Sequence, residues 1–231
     1  MLSKLDLNYL ELFKKKFVLS CPLCGGKDSF CSCWKKYNEE IKKVAAGIPV
    51  KYRKYTIDDF THPQLVEQKQ YIQNVIADFD NIRLNGDTLY LYGSSGTAKT
   101  MSACLIAAEA IRRGYEVHYY DSLQSIVTKL KQCWAEESTS SISKEITASD
   151  LIVVDNIGRE NIINENVKNE VLNMFKQRCY NCLPTIFISP VSVTEIPLKL
   201  DRDIVELFLT NSFNQVMFKG FDYAKRVLGE K

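Results

Sequence analysis

The sequence predicts an α/β protein built on a parallel sheet, with a small helical, cysteine-rich module in front of it. Between residues 87 and 189, short β-prone runs alternate with helical patterns, which is typical of a parallel sheet with helices on both faces. The aliphatic run at residues 151–154 indicates a central strand, because such a strand is covered on both faces. Four cysteines within thirteen residues, from Cys21 to Cys33, set the N-terminal module apart.

The N-terminal elements are predicted from periodicity. Apolar residues at helical spacing predict helices over 2–18, 34–46 and 64–80. The segment Ala46-Gly47-Ile48-Pro49, here called the junction, ends the second helix. We therefore predict a domain boundary there, with residues 1–47 as the module and 48–231 as the main domain.

The cysteine cluster has the spacing of a metal site. In Cys-Pro-x-Cys-Gly, two thiolates face one ion and the following glycine relieves the tight turn, and a later cysteine pair can complete a tetrahedral four-sulfur zinc site. The predicted zinc ligands are Cys21, Cys24, Cys31 and Cys33. The alternative is four unrelated buried thiols.

A phosphate-binding loop is predicted between a strand at 87–92 and an Ala-rich helix at 101–111. In this context, backbone N–H groups and the helix N-terminus cradle phosphates, the lysine reaches the terminal ones, and the threonine hydroxyl holds Mg²⁺. The loop, here called the P-loop, comprises Gly93, Ser94, Ser95, Gly96, Thr97, Ala98, Lys99 and Thr100. The alternative is a Gly-Ser turn before an ordinary core helix.

The P-loop departs from the strict pattern at one position. Ala98 stands where a strict Walker A motif has glycine before the lysine. We expect nucleotide binding to survive, because a residue that opens a helix need not have a positive φ.

Further elements complete the alternation. Strands are predicted over 115–120 and 185–189, helices over 123–134 and 166–182, and a loop over 136–143. The aliphatic run 151–154 is followed directly by Asp155, and the carboxyl end of a central strand lies beside the P-loop. Asp155 is therefore expected to hold the shell of a magnesium ion together with Thr100, as in a Walker B motif.

Composition and charge narrow the classes of protein. A chain of 231 residues with 45% hydrophobic and 25% charged residues is ordinary for a globular protein. It contains neither a membrane-spanning run nor a signal-peptide core, so we expect a cytoplasmic protein with no membrane partner. Residues 1–54 carry 12 Lys and Arg against 5 Asp and Glu, whereas the remainder carries 18 against 23. The basic end indicates either a solvated surface or a site for an acidic partner or nucleic acid.

Together these segments resemble the DnaC/DnaI/IstB group of AAA+ ATPases, which contains bacterial and phage helicase loaders and transposition helpers. The resemblance rests on the junction with the segment 52–60, on Gly-x-x-Gly-Thr-x-Lys-Thr, and on 150–158. It covers essentially the whole chain and implies a P-loop NTPase with a parallel five-stranded sheet, whose ATPase domain at 48–231 lacks a full C-terminal lid. The cysteine-rich module is similar to that of DnaI-type loaders, whose N-terminal region grips the replicative helicase.

Several positions depart from the family pattern. Asn156 replaces the catalytic glutamate that polarises the attacking water, and an amide cannot accept a proton. The sensor asparagine after the next strand is replaced by Pro190. The arginine finger that acts across subunits maps best onto Arg202, with a surface ion pair as the alternative. In the terminal element 220–224, the expected arginine is absent or displaced to Lys225 or Arg226.

The resemblance implies an ATP/ADP- and Mg²⁺-binding replicative helicase loader that forms homo-oligomers, binds single-stranded DNA and hydrolyses ATP weakly. In this family the helix after the second strand faces the central channel, so Lys129 and Lys131 are the predicted DNA contacts, with a solvated helical face as the alternative. The competing functions are an IstB-like transposition helper and a non-hydrolysing module that sequesters a helicase.

Overall fold

The computed structural model describes residues 3–136, 140–158, 165–196, 206 and 213–219. The helices are Lys4–Lys14 (α1), Ser32–Ala45 (α2), Val66–Ala77 (α3), Phe79–Asn85 (α4), Lys99–Arg113 (α5), Leu123–Ala135 (α6), Ser140–Ala148 (α7) and Glu165–Tyr180 (α8). The strands are Thr88–Gly93 (β1), Val117–Tyr120 (β2), Leu151–Val154 (β3), Thr185–Ser189 (β4) and Phe213–Phe218 (β5). Among these helices, none has both the length and the apolar character needed to cross a membrane.

The five strands form one parallel sheet in the order β2-β3-β4-β1-β5, which confirms the predicted fold class. Helix α5 connects β1 to β2, which lies at the far edge of the sheet. Strands β3 and β4 then lie between β2 and β1. All carboxyl ends therefore meet at one edge of the sheet, where α/β proteins bind their ligands.

Each face of the sheet is covered by its own apolar cluster. Helices α3, α4 and α5 pack on one face, around Phe79, Leu91 and Ile106. Helices α6, α7 and α8 pack on the other face, around Ile126, Val154 and Phe187. Neighbouring residues of a strand point to opposite faces, so Tyr119 belongs to the first cluster and Tyr120 to the second.

The N-terminal helix α2 packs directly on the part of the chain that carries the sheet. Helix α2 contacts α5, the helix that follows the P-loop. The buried guanidinium of Arg53 donates to the Asp6 carboxylate at 2.8 Å and to the backbone carbonyl of Ile48 at 2.6 Å. It also lies 5.2 Å from the ring centre of Tyr9. Arg53 thus joins α1 to the chain that follows the junction.

Two segments differ from the sequence-based expectation. The loop predicted over 136–143 is wrong in its second half, because α7 begins at Ser140. Ile142 and Ile146 lie one helical turn apart and are both buried in the sheet-facing cluster, and this burial outweighs the Ser-rich composition. The helix predicted over 64–80 is instead a 3₁₀ turn at Pro63–Leu65 followed by α3, and α4 begins as a separate helix after Asp78.

Arg178, near the end of α8, has a fully buried side chain. It donates to the backbone carbonyls of Ile146, Ser149 and Pro184 and to the hydroxyl of Thr185. Burial lowers its pKa to about 9. Arg178 therefore ties α7, α8 and the start of β4 together through hydrogen bonds.

Candidate functional site

The P-loop connects the carboxyl end of β1 to the first turn of α5, as the sequence predicts. Gly93 pairs with Phe218 of β5, and its φ is +137°. A Cβ atom here would lie 2.2 Å from the Phe218 carbonyl oxygen, so only glycine fits at this position. The close approach of β5 therefore fixes where the loop leaves the sheet.

Ala98 adopts the left-handed conformation, with φ +69° and ψ +12°. The expectation that this position does not require a positive φ is therefore wrong. The chain must reverse its direction here so that Lys99 can begin α5, and the loop geometry imposes this conformation on alanine at a cost of about 1–2 kcal/mol. The strict motif has glycine at this position for that reason.

Lys99 is buried, and its side chain folds against the loop. Its Nζ donates to the carbonyl oxygens of Gly93, at 2.7 Å, and Ser94, and lies 3.3 Å from the Thr97 hydroxyl. The ammonium group therefore lies inside the loop, at the N-terminus of α5. Its positive charge adds to the positive end of the α5 helix dipole. This arrangement is suited to anionic phosphate groups.

Thr100 and Asp155 meet across the carboxyl edge of the sheet. The Thr100 hydroxyl donates to Oδ2 of Asp155 at 2.8 Å, although the two residues are 55 positions apart. The other carboxylate oxygen of Asp155 accepts the backbone N–H of Asn156 at 2.7 Å. A hydroxyl bonded to a carboxylate in this way keeps lone pairs for a hard cation, and oxygen ligands are the ones that Mg²⁺ prefers.

The same carboxylate has a third donor that the sequence reasoning missed. The Tyr119 hydroxyl donates to Oδ2 of Asp155 at 2.8 Å, and both residues are buried. Period-two alternation in β2 indicates that Tyr119 and Tyr120 point to opposite faces. The order of the strands determines whether Tyr119 or Tyr120 points toward Asp155.

An apolar cluster lies beside the P-loop. Phe60, Leu65, Met101 and Leu105 form its buried part, and the half-buried Tyr52, Tyr55, Ile57, Ile76 and Ala98 pack against it. Helix α5 supplies Met101 and Leu105, and the segment after the junction supplies most of the others. The cluster thus gives an apolar surface next to the phosphate-binding groups, as a nucleobase requires.

The position predicted to activate the attacking water carries an amide, that of Asn156, and no carboxylate. Asn156 is exposed, with φ +54°, and its amide donates to the Asp121 carbonyl at 3.0 Å. Pro190 directly follows β4, and the preceding Ser189 hydroxyl donates to the Ile157 carbonyl at 2.8 Å. The predicted arginine finger, Arg202, and the terminal positions 220–226 lie outside the described residues, as does most of the segment on which the lid prediction rests.

The four predicted zinc ligands come together in space. Their sulfur atoms all lie within 4.8 Å of one another. Sγ of Cys21 is 3.9 Å from Sγ of Cys31, and Sγ of Cys24 is 3.5 Å from Sγ of Cys33. A tetrahedral ion with Zn–S bonds of about 2.3 Å needs sulfur–sulfur distances of about 3.8 Å. The donor set therefore fits one zinc ion.

The protonation of the cysteine cluster also favours a cation. Burial opposes ionisation of Cys24, but the backbone N–H groups of Asp28 and Gly26 and neighbouring thiols outweigh it and lower its pKa to about 7. Burial and the adjacent thiols raise the pKa of Cys33 to about 12. Four thiolates can share this space only around a positive ion, since metal binding releases the thiol protons.

The predicted DNA contacts lie on the outer surface of α6. Nζ of Lys129 is 3.3 Å from the Glu145 carboxylate and 4.8 Å from the ring centre of Tyr120. Lys131 is exposed. Lys129 is therefore already engaged by an internal carboxylate, whereas Lys131 forms no ion pair within the described part of the chain.

Zinc content tests the cysteine cluster. We expect about one zinc per chain in protein purified without chelator, and loss of that zinc in Cys24→Ser, because three thiolates bind it more weakly. Cys133→Ser is the matched control, since Cys133 lies in α6 outside the cluster. Wild-type protein without zinc, or with disulfides among the four cysteines, would contradict the assignment.

Ala98→Gly tests the conformation of the P-loop. Glycine adopts a positive φ without strain, so we expect the free energy of unfolding to rise by about 1 kcal/mol. The matched substitution Ala108→Gly lies inside α5 and should lower it by about 1 kcal/mol. Urea unfolding of both variants measures the two signs, and destabilisation by both would show that Ala98 is not strained.

The structure is similar to that of the DnaC helicase loader, with a TM-score of 0.63 and 18% identity over 74% of this chain and 100% of that chain. A DnaI structure matches with a TM-score of 0.61 and 17% identity, over 74% and 94% of the two chains. AMPPCP-bound DnaA from Aquifex aeolicus matches with a TM-score of 0.61 and 19% identity, over 78% of this chain.

At these identities the structural matches establish the fold. The matched region spans about half of some longer relatives, covering 52% of that DnaA chain and 50% of a DNA replication initiation factor. A search of the curated proteins finds no match. The profile of the IstB-like ATP binding protein family matches residues 39–198, which is more than half of the chain. With its P-loop, its parallel five-stranded sheet and this match, the chain belongs to the IstB-like ATP-binding proteins, of the DnaC/IstB type of AAA+ ATPase.

Proposed function

We propose that this protein binds ATP or ADP with Mg²⁺ and acts as a loader of a replicative hexameric helicase. Nucleotide binding is proposed mainly from the hydrogen bond between the Thr100 hydroxyl and the Asp155 carboxylate, next to the buried Lys99. In this proposal the P-loop amides and Lys99 bind the phosphates, and Thr100 ligates the magnesium ion. Asp155 orients that ion's water shell, and the apolar cluster receives the base.

Hydrolysis is proposed to be weak. Phosphoryl transfer depends on positioned charge and on an oriented water, and loss of one such group typically costs about 10²-fold or more in rate. Asn156 can orient a water but cannot take its proton, and Pro190 supplies no side-chain donor. Nucleotide occupancy, rather than rapid turnover, would then control the assembly of homo-oligomers, with Arg202 acting across the subunit interface.

The N-terminal module, residues 1–47, is proposed to hold the helicase, and residues 48–231 to form the ATPase domain. Support comes from apolar side chains that the module leaves in solvent, here called the exposed apolar set. Phe30 is 96% exposed and Leu23 81% exposed. The set comprises Leu5, Leu7, Leu12, Phe17, Leu19, Leu23 and Phe30. Exposed apolar surface among lysines favours a protein partner with an acidic rim.

Single-stranded DNA is the second proposed partner, contacted by Lys129 and Lys131 on α6. The salt bridge of Lys129 with Glu145 must open for a phosphate contact, whereas exposed Lys131 is available. Such contacts weaken steeply with rising salt. An affinity that depends neither on salt nor on these two lysines would leave a solvated helical face as the better interpretation.

The transposition-helper alternative draws on the family match itself, which is to IstB-like ATP binding proteins. In that case the module would hold a transposase rather than a helicase. In the sequestering alternative the protein also binds the helicase but does not place it on DNA. Delivery of the helicase onto single-stranded DNA separates loading from sequestration.

Nucleotide titration tests the site. We expect wild-type protein to bind ADP in the presence of Mg²⁺ and Lys99→Ala to lose at least ten-fold in affinity, because the buried ammonium is the only side-chain cation that the motif places on the phosphates. Lys36→Ala, an exposed lysine of α2, is the control and should bind as the wild type does. Equal affinity in wild type and Lys99→Ala would contradict the assignment.

Steady-state hydrolysis tests the catalytic proposal. We expect turnover well below the ordinary enzyme range of about 1–10³ s⁻¹, with DNA and helicase present. Asn156→Glu supplies a carboxylate and should raise turnover, whereas Asn156→Gln changes only the side-chain length and should not. Fast hydrolysis by the wild type would refute control by occupancy.

Capture of a replicative hexameric helicase tests the partner. The full-length double variant Leu12→Glu/Leu23→Glu should lose binding, because it places charge in the apolar set while both positions remain solvated. Leu84→Glu is the control, since Leu84 is 75% exposed and lies on α4, outside the module. Failure of the wild type to bind would refute the loader proposal, and unaltered binding by the double variant would refute only the role of this set.

A further inference from the structure

We propose that Tyr119 is a positioning residue for magnesium binding: its hydroxyl holds the Asp155 carboxylate in place, while its backbone is held by the junction. This inference rests on the proposed Mg²⁺–nucleotide function and adds a residue that the P-loop and Walker B motifs do not contain.

The geometry at Asp155 indicates this role. Oδ2 of Asp155 accepts two hydroxyl groups, from Thr100 and Tyr119, each at 2.8 Å. The two donors come from different elements, α5 and β2, and β3 itself delivers the carboxylate between them. Because Oδ1 is bonded to the backbone N–H of Asn156, rotation of the carboxylate would break hydrogen bonds on both of its oxygens.

The chemistry makes Tyr119 a donor and not a metal ligand. The Tyr119 hydroxyl donates to Oδ2 of Asp155, and a phenol keeps its proton at physiological pH because its ordinary pKa is about 10. A protonated phenol bonded to the carboxylate acts in the outer shell of the ion. Outer-shell partners of metal sites typically affect metal affinity by about 10- to 100-fold.

The backbone of Tyr119 lies against the junction. Its N–H donates to the Ala46 carbonyl at 2.7 Å. Gly47 has φ +78°, and a Cβ atom on it would lie 2.9 Å from the Tyr119 carbonyl oxygen. The junction therefore runs along β2 at the residue whose side chain reaches the proposed magnesium site. A shift of the N-terminal module relative to β2 would act on Asp155 through one residue.

Tyr120 provides a matched control within the same strand. Its hydroxyl also donates to a carboxylate, that of Glu145, but on the opposite face of the sheet. Both substitutions, Tyr119→Phe and Tyr120→Phe, remove one buried hydroxyl from a carboxylate and leave the ring. General loss of packing or of a tyrosine–carboxylate hydrogen bond would therefore affect the two variants alike.

The test is the Mg²⁺ affinity of the full-length ADP complex, measured by titrating Mg²⁺ at fixed ADP. We expect Tyr119→Phe to weaken Mg²⁺ binding by about 10- to 100-fold and Tyr120→Phe by less than about two-fold. ADP affinity in EDTA and thermal unfolding without metal should be nearly the same in both variants. In the Asp155→Asn background, Tyr119→Phe should no longer change Mg²⁺ affinity.

The outcomes separate the inference from the proposed function. If the wild type shows no Mg²⁺-dependent ADP binding, the proposed function fails. If the wild type binds Mg²⁺·ADP and Tyr119→Phe binds it equally well, only the inference is overturned. The inference is also overturned if Tyr119→Phe weakens ADP binding in EDTA as much as it weakens Mg²⁺ binding. It is overturned as well if Tyr119→Phe still weakens Mg²⁺ binding in the Asp155→Asn background. In either case Tyr119 would support the fold and not the metal.

Discussion

The hydrogen bond from the Thr100 hydroxyl to Asp155 is the interaction on which the site depends, because it joins two strands that are not neighbours. The phosphate-binding turn follows β1 and the carboxylate follows β3, with β4 between them. A parallel sheet in the order β2-β3-β4-β1-β5 brings both carboxyl ends to one edge. This order of the strands brings the Asp155 carboxylate within hydrogen-bond distance of Thr100.

The same edge accounts for the contrast between binding and hydrolysis. The groups that would hold a nucleotide come from buried, well-supported positions: Lys99 inside its loop and Asp155 between three donors. The positions that would activate water carry an exposed amide, Asn156, and a proline, Pro190. The residues proposed to bind the nucleotide are thus buried, whereas Asn156 is exposed and Pro190 is half-buried. This contrast is consistent with the proposed control by nucleotide occupancy.

Much of the fold and site could be predicted from local sequence, and the exceptions have physical reasons. Strand, loop and helix around Lys99 form one contiguous pattern, and the four cysteines lie within one short segment, so neither needed tertiary information. The role of Tyr119 was not predictable, because its partner is 36 positions away and the choice between Tyr119 and Tyr120 depends on strand order. Helix α7 was not predicted, because burial of Ile142 and Ile146 overrides a Ser-rich composition. The positive φ of Ala98 was not predicted either, because the closure of the loop imposes it.

The central claim, that Thr100 and Asp155 form a magnesium–nucleotide site, is tested most directly by a crystal structure with ADP and Mn²⁺, an ion that accepts the same oxygen ligands and gives an anomalous signal. The account predicts a manganese peak bonded to Oγ1 of Thr100, with Asp155 reaching it directly or through one water. It also predicts the diphosphate on the N-terminus of α5 and the base against the apolar cluster. Manganese or ADP bound elsewhere, with Thr100 and Asp155 still bonded only to each other, would contradict it.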